Sequence, residues 1–337
     1  MKNLQWVLRR RPHGDLRDGD LELATAELRP LELGEVLVRN IYLSLNPTHR
    51  IWMSDHDQYM APVAIGEVMR GGTTGVVEAS RSERHAVGDL VMVGMGGWEL
   101  YTVAAEAQVS KVRRAPGIPL TATMSVLGGT GLTAYFGMTD VARPAAGETV
   151  VVTAAAGAVG SVAGQIARIM GARVVGICGS PSKRAWLESG LGFEGAVDYR
   201  NDDVGAALDR LCPDGIDVDF ENVGGSILDS ILPRMNNFGR IAVCGLISTY
   251  NSPPPVLGPT DFDRVLMRRL KLQGFIISDY FPRAREGFDA LSAWVADGRI
   301  LWKDHVVAGL ENAVAALGLL FTGEHDGKLL LQISEEP

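Results

Sequence analysis

Three short stretches of this sequence carry residue types that could do chemistry: Ala155–Gly160, Gly179–Arg184 and Gly245–Tyr250. The first lies in TVVVTAAAGAVGS (149–161), where β-favouring residues run into a small-residue turn, Ala155-x-Gly157-x-x-Gly160. Val159, Val162, Ala163, Ile166, Ala167 and Met170 follow at helical spacing. A strand, a tight turn and a helix let backbone N–H groups approach a pyrophosphate at a helix N-terminus, where the dipole favours negative charge. Ala stands in place of the first Gly of a dinucleotide fingerprint, and Gly160 is where the helix can pack closely on the strand. An ordinary βα turn of a parallel sheet fits the same letters.

The second stretch separates two cofactors. An NAD site places an acidic residue about 20 positions past the glycines, on the ribose 2′-OH. Here that place holds Gly179 and Ser180, followed by Pro181, Ser182, Lys183 and Arg184, and no acid comes before Glu188. Hydroxyls and cations suit a 2′-phosphate, which a carboxylate would repel. The segment favours NADP(H). The plainer reading is that Lys183 and Arg184 begin a solvated helix.

The third stretch supplies a donor. Hydride transfer needs the cofactor for reactivity and the protein for position and polarity. Reduction of a polarised double bond also needs a hydrogen bond to the developing oxyanion. Tyr250, just past a sheet strand, is a neutral donor of high pKa that could steady an enolate. A tyrosine packed on Pro253–Pro255 in a loop wall fits as well. Tyr42, Tyr59, Trp98 and Tyr280 could line a substrate pocket, with core packing as the competing role. The histidines His13, His49, His56, His85, His305 and His325 form no metal-ligand spacing, and no C-x-x-C or G-x-S-x-G occurs. No metal site is expected.

The elements that must hold these residues follow from periodicity. Short apolar runs at 5–8, 35–43, 74–78, 89–93, 101–103 and 108–112 alternate with Gly, Pro and Asp, which predicts a β-rich, barrel-like domain over 1–125. Gly94-Met95-Gly96-Gly97-Trp98 reads as a turn carrying an exposed or cleft-lining indole. Residues 124–140 read as helix interrupted by glycines. Strands are then predicted at 149–154, 173–178, 195–199, 216–221, 239–245 and 271–277, with helices near 158–170, 182–189, 202–211, 225–236 and 261–269. That alternation is a doubly wound parallel sheet, so 126–299 is the expected nucleotide domain. The tail reads as a helix near 284–297, an extended stretch at 300–307, a helix near 311–321 and a strand at 328–333 returning to the first domain. Residues 300–337 are accordingly assigned to the β-rich half, with a cleft expected between the domains.

Composition bounds the partners. The chain has 337 residues and a net charge of −8, and no basic run is interleaved with aromatics, so nucleic acid is a poor candidate. Cys178, Cys212 and Cys244 are few and odd in number, which suits a reducing compartment without disulfides. The N-terminal residues lack an apolar core, and no stretch of about 18 apolar residues occurs, so neither a leader nor a membrane span is expected and the location expected is cytoplasmic.

Together these stretches resemble the zinc-independent medium-chain dehydrogenase/reductase superfamily, and within it the NADPH-dependent alkenal/enone reductase group. That group includes prostaglandin reductases, plant double-bond reductases and bacterial curcumin reductase. The resemblance rests on YLSLNP (42–47), IGEVMRGG (65–72), GLTAYFG (131–137), GETVVVTAAAGAVGSVAGQIA (147–167), VVGICGSPSK (174–183), FENVGG (220–225), GRIAVCGLISTYN (239–251), LQGFIISDY (272–280) and GKLLLQIS (327–334). It implies an α/β architecture: a Rossmann sheet plus a GroES-like β-rich domain, in a homodimer. It also implies hydride delivery from NADPH to the β-carbon of an α,β-unsaturated aldehyde or ketone. By motif, Gly157, Ala158 and Val159 would hold the pyrophosphate. Gly179, Ser180, Lys183 and Tyr199 would meet the adenosine ribose and its 2′-phosphate. Thr133, Asn222, Cys244, Ile247, Phe275 and Ile276 would lie along the cofactor, and Tyr250 would be the enolate donor. Two departures stand out. Pro47-Thr48-His49-Arg50 replaces the common P-Y-M-R, and His325-Asp326-Gly327-Lys328 replaces an Asn-x-Gly-Lys that touches the cofactor. A quinone or carbonyl reductase on the same scaffold, and an NADPH-binding sensor without turnover, are the alternatives.

Overall fold

The computed structural model describes residues 1–112, 117–252 and 256–337. Its strands in chain order are β1 (Lys2–Leu8), β2 (Leu21–Glu27), β3 (Glu35–Ser44), β4 (Arg70–Ser80), β5 (Leu90–Gly97), β6 (Tyr101–Ala105), β7 (Val109–Lys111), β8 (Thr149–Val152), β9 (Arg173–Cys178), β10 (Gly195–Asp198), β11 (Ile216–Glu221), β12 (Met235–Val243), β13 (Lys271–Gly274), β14 (Asp304–Ala308) and β15 (Lys328–Gln332). The chain divides into two compact units. One is Met1–Met124 with Asp304–His325 and Leu329–Pro337, the other Ser125–Lys303 with Asp326–Lys328. Residues 300–303 and 326–328 therefore pack with the second unit.

The first unit is built on an antiparallel sheet ordered β14-β15-β3-β4-β5-β7, with β6 also on β3 and a separate β1–β2 pair. Alternation fixes its register: Val36 and Val38 of β3 turn inward onto Val77, Val91, Val93 and Ala104. The tail strand does return, pairing Leu330 with Ser44. Strand β2 was not anticipated, because LELATAE is only partly buried and owes its form to pairing with β1.

Two readings change here. Gly94–Gly97 is the end of strand β5, not a turn, and Trp98 is fully buried among Leu43, Trp52 and Met69. The strand persists because its glycines make room for neighbours. A Cβ on Gly96 would meet Thr73 Oγ1 at 2.7 Å, and one on Gly97 would meet Glu99 Oε1 at 2.4 Å. His49, from the departing P-T-H-R, is also fully buried, its ring 5.1 Å from Trp52 and 5.4 Å from Trp98. Arg50 is buried too and donates to Pro12 O, Gly14 O and Ser54 Oγ.

The second unit holds six parallel strands ordered β10-β9-β8-β11-β12-β13, the doubly wound order. Strand β8 is buried throughout, as a central parallel strand covered on both faces must be. Val151, Val175, Ile177, Val197 and Ile241 form its core with Leu208 and Ile231 from flanking helices. The helix expected from 182 starts at Pro181, with Ser180 as N-cap. The helix expected over 225–236 ends at Ile231, because a tighter turn through Pro233 leads directly into β12. No helix among the described residues is long and apolar enough to cross a membrane.

Candidate cofactor site

The chain order of the sheet reverses between β8 and β11, and ligands bind such sheets beyond the carboxyl ends of the strands at that point. Past β8, Ala154 adopts a left-handed conformation at φ 47°, and the chain turns into the helix Ala158–Ile169 with Gly157 as N-cap. Gly160 is obligatory, since a Cβ there would meet Ala154 O at 2.5 Å. Gly157, Ala158 and Val159 stay partly exposed while Gly160 is buried. Gly157 gives the helix no side-chain cap, and the first turn carries no acid. The leading N–H groups are thus presented without a competing carboxylate, which fits a pyrophosphate.

The residues expected to meet a 2′-phosphate also come together. Ser180 Oγ accepts the Lys183 N–H at 3.3 Å. A Cβ on Gly179 would meet the Tyr199 ring at 2.8 Å, so the glycine lets the phenol approach the end of β9 closely. Tyr199 rides on a loop organised by buried Asp198, whose carboxylate accepts the Arg200 N–H at 3.2 Å and Asn201 Nδ2 at 2.8 Å. Arg184 pairs with Asp202, tying its helix to that loop. Of the two cations read from the sequence, Arg184 is thus engaged with Asp202. Burial lowers the pKa of Lys183, and the Asp326 carboxylate pushes it back up. Arg200, whose guanidinium lies 5.7 Å from the Tyr199 ring centre, opposes it as a like charge.

Asp326 and Arg200 were missed. Arg200 could have been suspected from its place beside Tyr199. Asp326 carries no local signal, because it lies 143 residues from Lys183 in the chain. The loop that carries Asp326 reaches the glycine turn through a parallel bridge between Gly157 and Gly327. The ring of His325 points elsewhere, with Nδ1 3.0 Å from Leu319 O.

At the switch point two loops are stitched together. Thr153 Oγ1 donates to Glu221 Oε1 at 2.7 Å and accepts the Asn222 N–H at 2.7 Å, while Asn222 Nδ2 donates to Thr153 O at 2.7 Å. The same Glu221 oxygen accepts the N–H groups of Val223 and Gly224. The Ile247 N–H reaches Asn222 O, and the Ser248 N–H reaches Val223 O. Tyr250 closes this second loop: its Oη accepts the Leu246 N–H at 3.1 Å and lies 3.1 Å from where a Gly245 Cβ would be. The Pro253–Pro255 packing considered for Tyr250 lies outside the described residues.

Two carboxyls sit beneath this network. Asp219 is fully buried, and burial together with the neighbouring Glu221 pushes its pKa well up. Burial raises Glu221 as well, against the N–H groups that favour its anion. The Cys244 thiol is pushed up to about 12 by burial and is held as an inert thiol.

The remaining residues lie around these loops. Thr133 is partly exposed on the helix Gly129–Phe136, its Oγ1 on Gly129 O. Phe275 follows β13 and its ring meets Phe220 edge-on at 6.3 Å, with Ile276 next in the chain. Tyr280 stacks on Phe136 at 4.8 Å. In the first unit, Tyr42 is buried and donates to Glu336, and Tyr59 is exposed with its hydroxyl accepting Trp52 Nε1. Tyr42 packs in a different cluster from the one that holds Trp98, and Tyr59 is tied to that latter cluster through Trp52. No group of three or more His, Cys, Asp or Glu that could hold a metal occurs among the described residues.

Residues 4–112 match the family described as the N-terminal domain of oxidoreductase, and residues 158–297 the family described as zinc-binding dehydrogenase. The chain is 40% identical to a putative NADP-dependent oxidoreductase, YfmJ, of Bacillus subtilis, over 98% of each protein. It is 39% identical to the NADPH-dependent curcumin reductase of Escherichia coli, over 99% of this chain and 97% of that protein. It is 36% identical to the NADP(+)-dependent 2-alkenal reductase of Nicotiana tabacum, over 100% of this chain and 99% of that protein. The crystal structure of CurA from Vibrio vulnificus in complex with NADPH superposes with a TM-score of 0.93 at 39% identity, over 99% of this chain and 100% of that one.

Proposed function

This chain belongs to the zinc-independent medium-chain dehydrogenase/reductase superfamily, in its NADPH-dependent alkenal/enone reductase group, and from that premise we propose that it reduces the carbon–carbon double bond of α,β-unsaturated aldehydes and ketones. It is an NADP(H)-dependent oxidoreductase. The observation that carries the finer reading is Tyr250, folded back onto the Leu246 N–H beside the Asn222–Gly224 loop, at the switch point of the sheet.

NADPH, when bound, supplies the hydride that reaches the substrate β-carbon. The protein's part is positional and electrostatic. Gly157, Ala158 and Val159 would hold the pyrophosphate with backbone N–H groups. Gly179, Ser180, Lys183 and Tyr199 would hold the 2′-phosphorylated ribose. Thr133, Asn222, Cys244, Ile247, Phe275 and Ile276 would lie along the cofactor. As the β-carbon is reduced, the π electrons of the double bond move toward the carbonyl oxygen. The Tyr250 hydroxyl donates a hydrogen bond to that oxygen, and protonation at the α-carbon completes the reduction. Edge strand β13 and the exposed Phe262, Leu266 and Met267 beside it offer an apolar face suited to a second copy of the chain.

The test follows NADPH oxidation with a panel of 2-alkenals, aryl enones and quinones, repeated with NADH. Turnover of the enones with NADPH is expected. Tyr250→Phe should lower kcat roughly 10-fold or more with little change in NADPH affinity. An unchanged rate removes Tyr250 from the chemistry, and turnover of quinones alone replaces the substrate class.

A further inference from the structure

We infer that Asp326 is the counter-ion Lys183 must give up when a 2′-phosphate arrives, so that Asp326 sets how tightly the 2′-phosphorylated end of the cofactor is held. The inference rests on the reading of Lys183 given above.

A strap of two chain segments carries Asp326 to this place. Gln165, on the helix that follows the glycine turn, grips Leu301 at both backbone groups. Its Nε2 donates to Leu301 O at 2.8 Å, and its Oε1 accepts the Leu301 N–H at 2.8 Å. Two residues on, the Lys303 ammonium lies 4.5 Å from the centre of the Trp186 ring, which follows the Pro181–Ala185 helix. Lys303 O then accepts the Lys328 N–H at 2.8 Å. Between Asp326 and Lys328, Gly327 takes φ 63°, and a Cβ on it would meet Lys303 O at 2.1 Å. Only glycine passes there, and on its other side it bridges to Gly157. The strap is thus pinned to the turn that faces the pyrophosphate and to the segment that follows Lys183. Asp326 leaves it with an exposed side chain whose charge supports the partly buried Lys183 ammonium.

Asp326 and the Cys178 thiol support the charged form of Lys183 and Arg200 opposes it, while Arg184 pairs with Asp202. A phosphate drawn to Lys183 comes within range of Asp326 as a like charge. Removing that carboxylate should favour the 2′-phosphate and leave a ligand without one indifferent. The contribution depends on Lys183, because the carboxylate competes with the phosphate for that cation.

The experiment is calorimetric titration of the full chain with 2′,5′-ADP and with AMP, at low and high salt. The proteins are wild type, Asp326→Asn, Lys183→Ala and the double variant. Asp326→Asn should bind 2′,5′-ADP roughly 3- to 10-fold more tightly, with AMP unchanged and the gain shrinking at high salt. In the Lys183→Ala background the gain should vanish. If Lys183→Ala weakens 2′,5′-ADP but Asp326→Asn leaves it unchanged, the inference fails while the reading of Lys183 stands. If Lys183→Ala leaves 2′,5′-ADP unchanged, the reading of Lys183 fails and the inference with it. Equal tightening of AMP, or a gain that survives Lys183→Ala, also overturns the role assigned to Asp326. Asp326→Ser, which removes the same charge at an exposed position, must move the same way as Asp326→Asn for the inference to hold.

Discussion

Two glycine-rich stretches of this chain look alike on paper and do opposite things. Ala155–Gly160 and Gly94–Trp98 both follow β-favouring residues, and both were read as candidate functional turns. The first is a turn. Its glycines bring a helix N-terminus close to a strand end and leave N–H groups partly exposed. The second is a strand. Its glycines give space to other side chains, and the indole that follows them is fully buried. Gly71 on neighbouring β4 belongs to the same arrangement, since a Cβ there would meet Trp98 Nε1 at 3.1 Å. A glycine signals close approach in either case. What approaches, backbone to ligand or side chain to backbone, is decided by the partner strand.

The strongest way to break this contrast is to truncate the buried indole. Trp98→Ala should cost about 3–5 kcal/mol of stability. Trp98→Phe should cost far less, because it keeps most of the packing and removes an Nε1 that has no hydrogen-bond partner among the described residues. Thermal and denaturant unfolding measure both. Enone KM of the folded protein should stay within a factor of about two for Trp98→Phe. A several-fold rise in KM with unchanged stability would return the indole to the substrate site.

The turn is tested from the other side. Gly160→Ala places a methyl against Ala154 O, a backbone atom that cannot swing away. The helix start must shift, at about 1–3 kcal/mol by analogy with overpacking. If the leading N–H groups hold the pyrophosphate, that shift appears in cofactor affinity, roughly 10-fold or more for NADPH and NADH alike. Loss of stability with both affinities intact would make the turn a packing device only, like its counterpart in the first unit.

The contrast also explains what was legible. The parallel sheet, the turn and the Gly179–Lys183 segment are local patterns in which backbone conformation and ligand contact are set by neighbours a few positions away. β9 and β11 fall where periodicity puts them, at 173–178 and 216–221. Three features were not legible for one physical reason, that tertiary partners distant in sequence create them. Strand β2 exists through pairing with β1. Trp98 is enclosed by residues from β3, β4 and the Thr48–Trp52 helix. Asp326 acts on Lys183 from a strap in which Gly327 passes close to Lys303 O. The Asn-x-Gly-Lys departure was noticed for His325, whereas Asp326, at the motif's open position, carries the charge that acts on Lys183.

The smallest expected effect belongs to the carboxylate at the end of the buried stretch. Glu99 follows Trp98 and accepts Asn3 Nδ2 at 2.8 Å and Thr102 Oγ1 at 2.9 Å. Burial nevertheless raises its pKa from 4.5 to about 7, against those two hydrogen bonds. A carboxyl raised on folding binds its proton more tightly in the native state. Its contribution is therefore complete below pH 4.5 and is lost as the pH rises through 7. Glu99→Gln removes the charge and keeps an acceptor for both donors. It should match wild type near pH 4 and exceed it by about 1–2 kcal/mol at pH 8.5, partial exposure having reduced the full linkage value. Urea unfolding at the two pH values measures the difference. Parallel pH dependence in wild type and variant would mean that Glu99 titrates as an ordinary surface carboxylate. The close fit of Gly97 against it would then matter for packing alone, as the glycines around Trp98 already do.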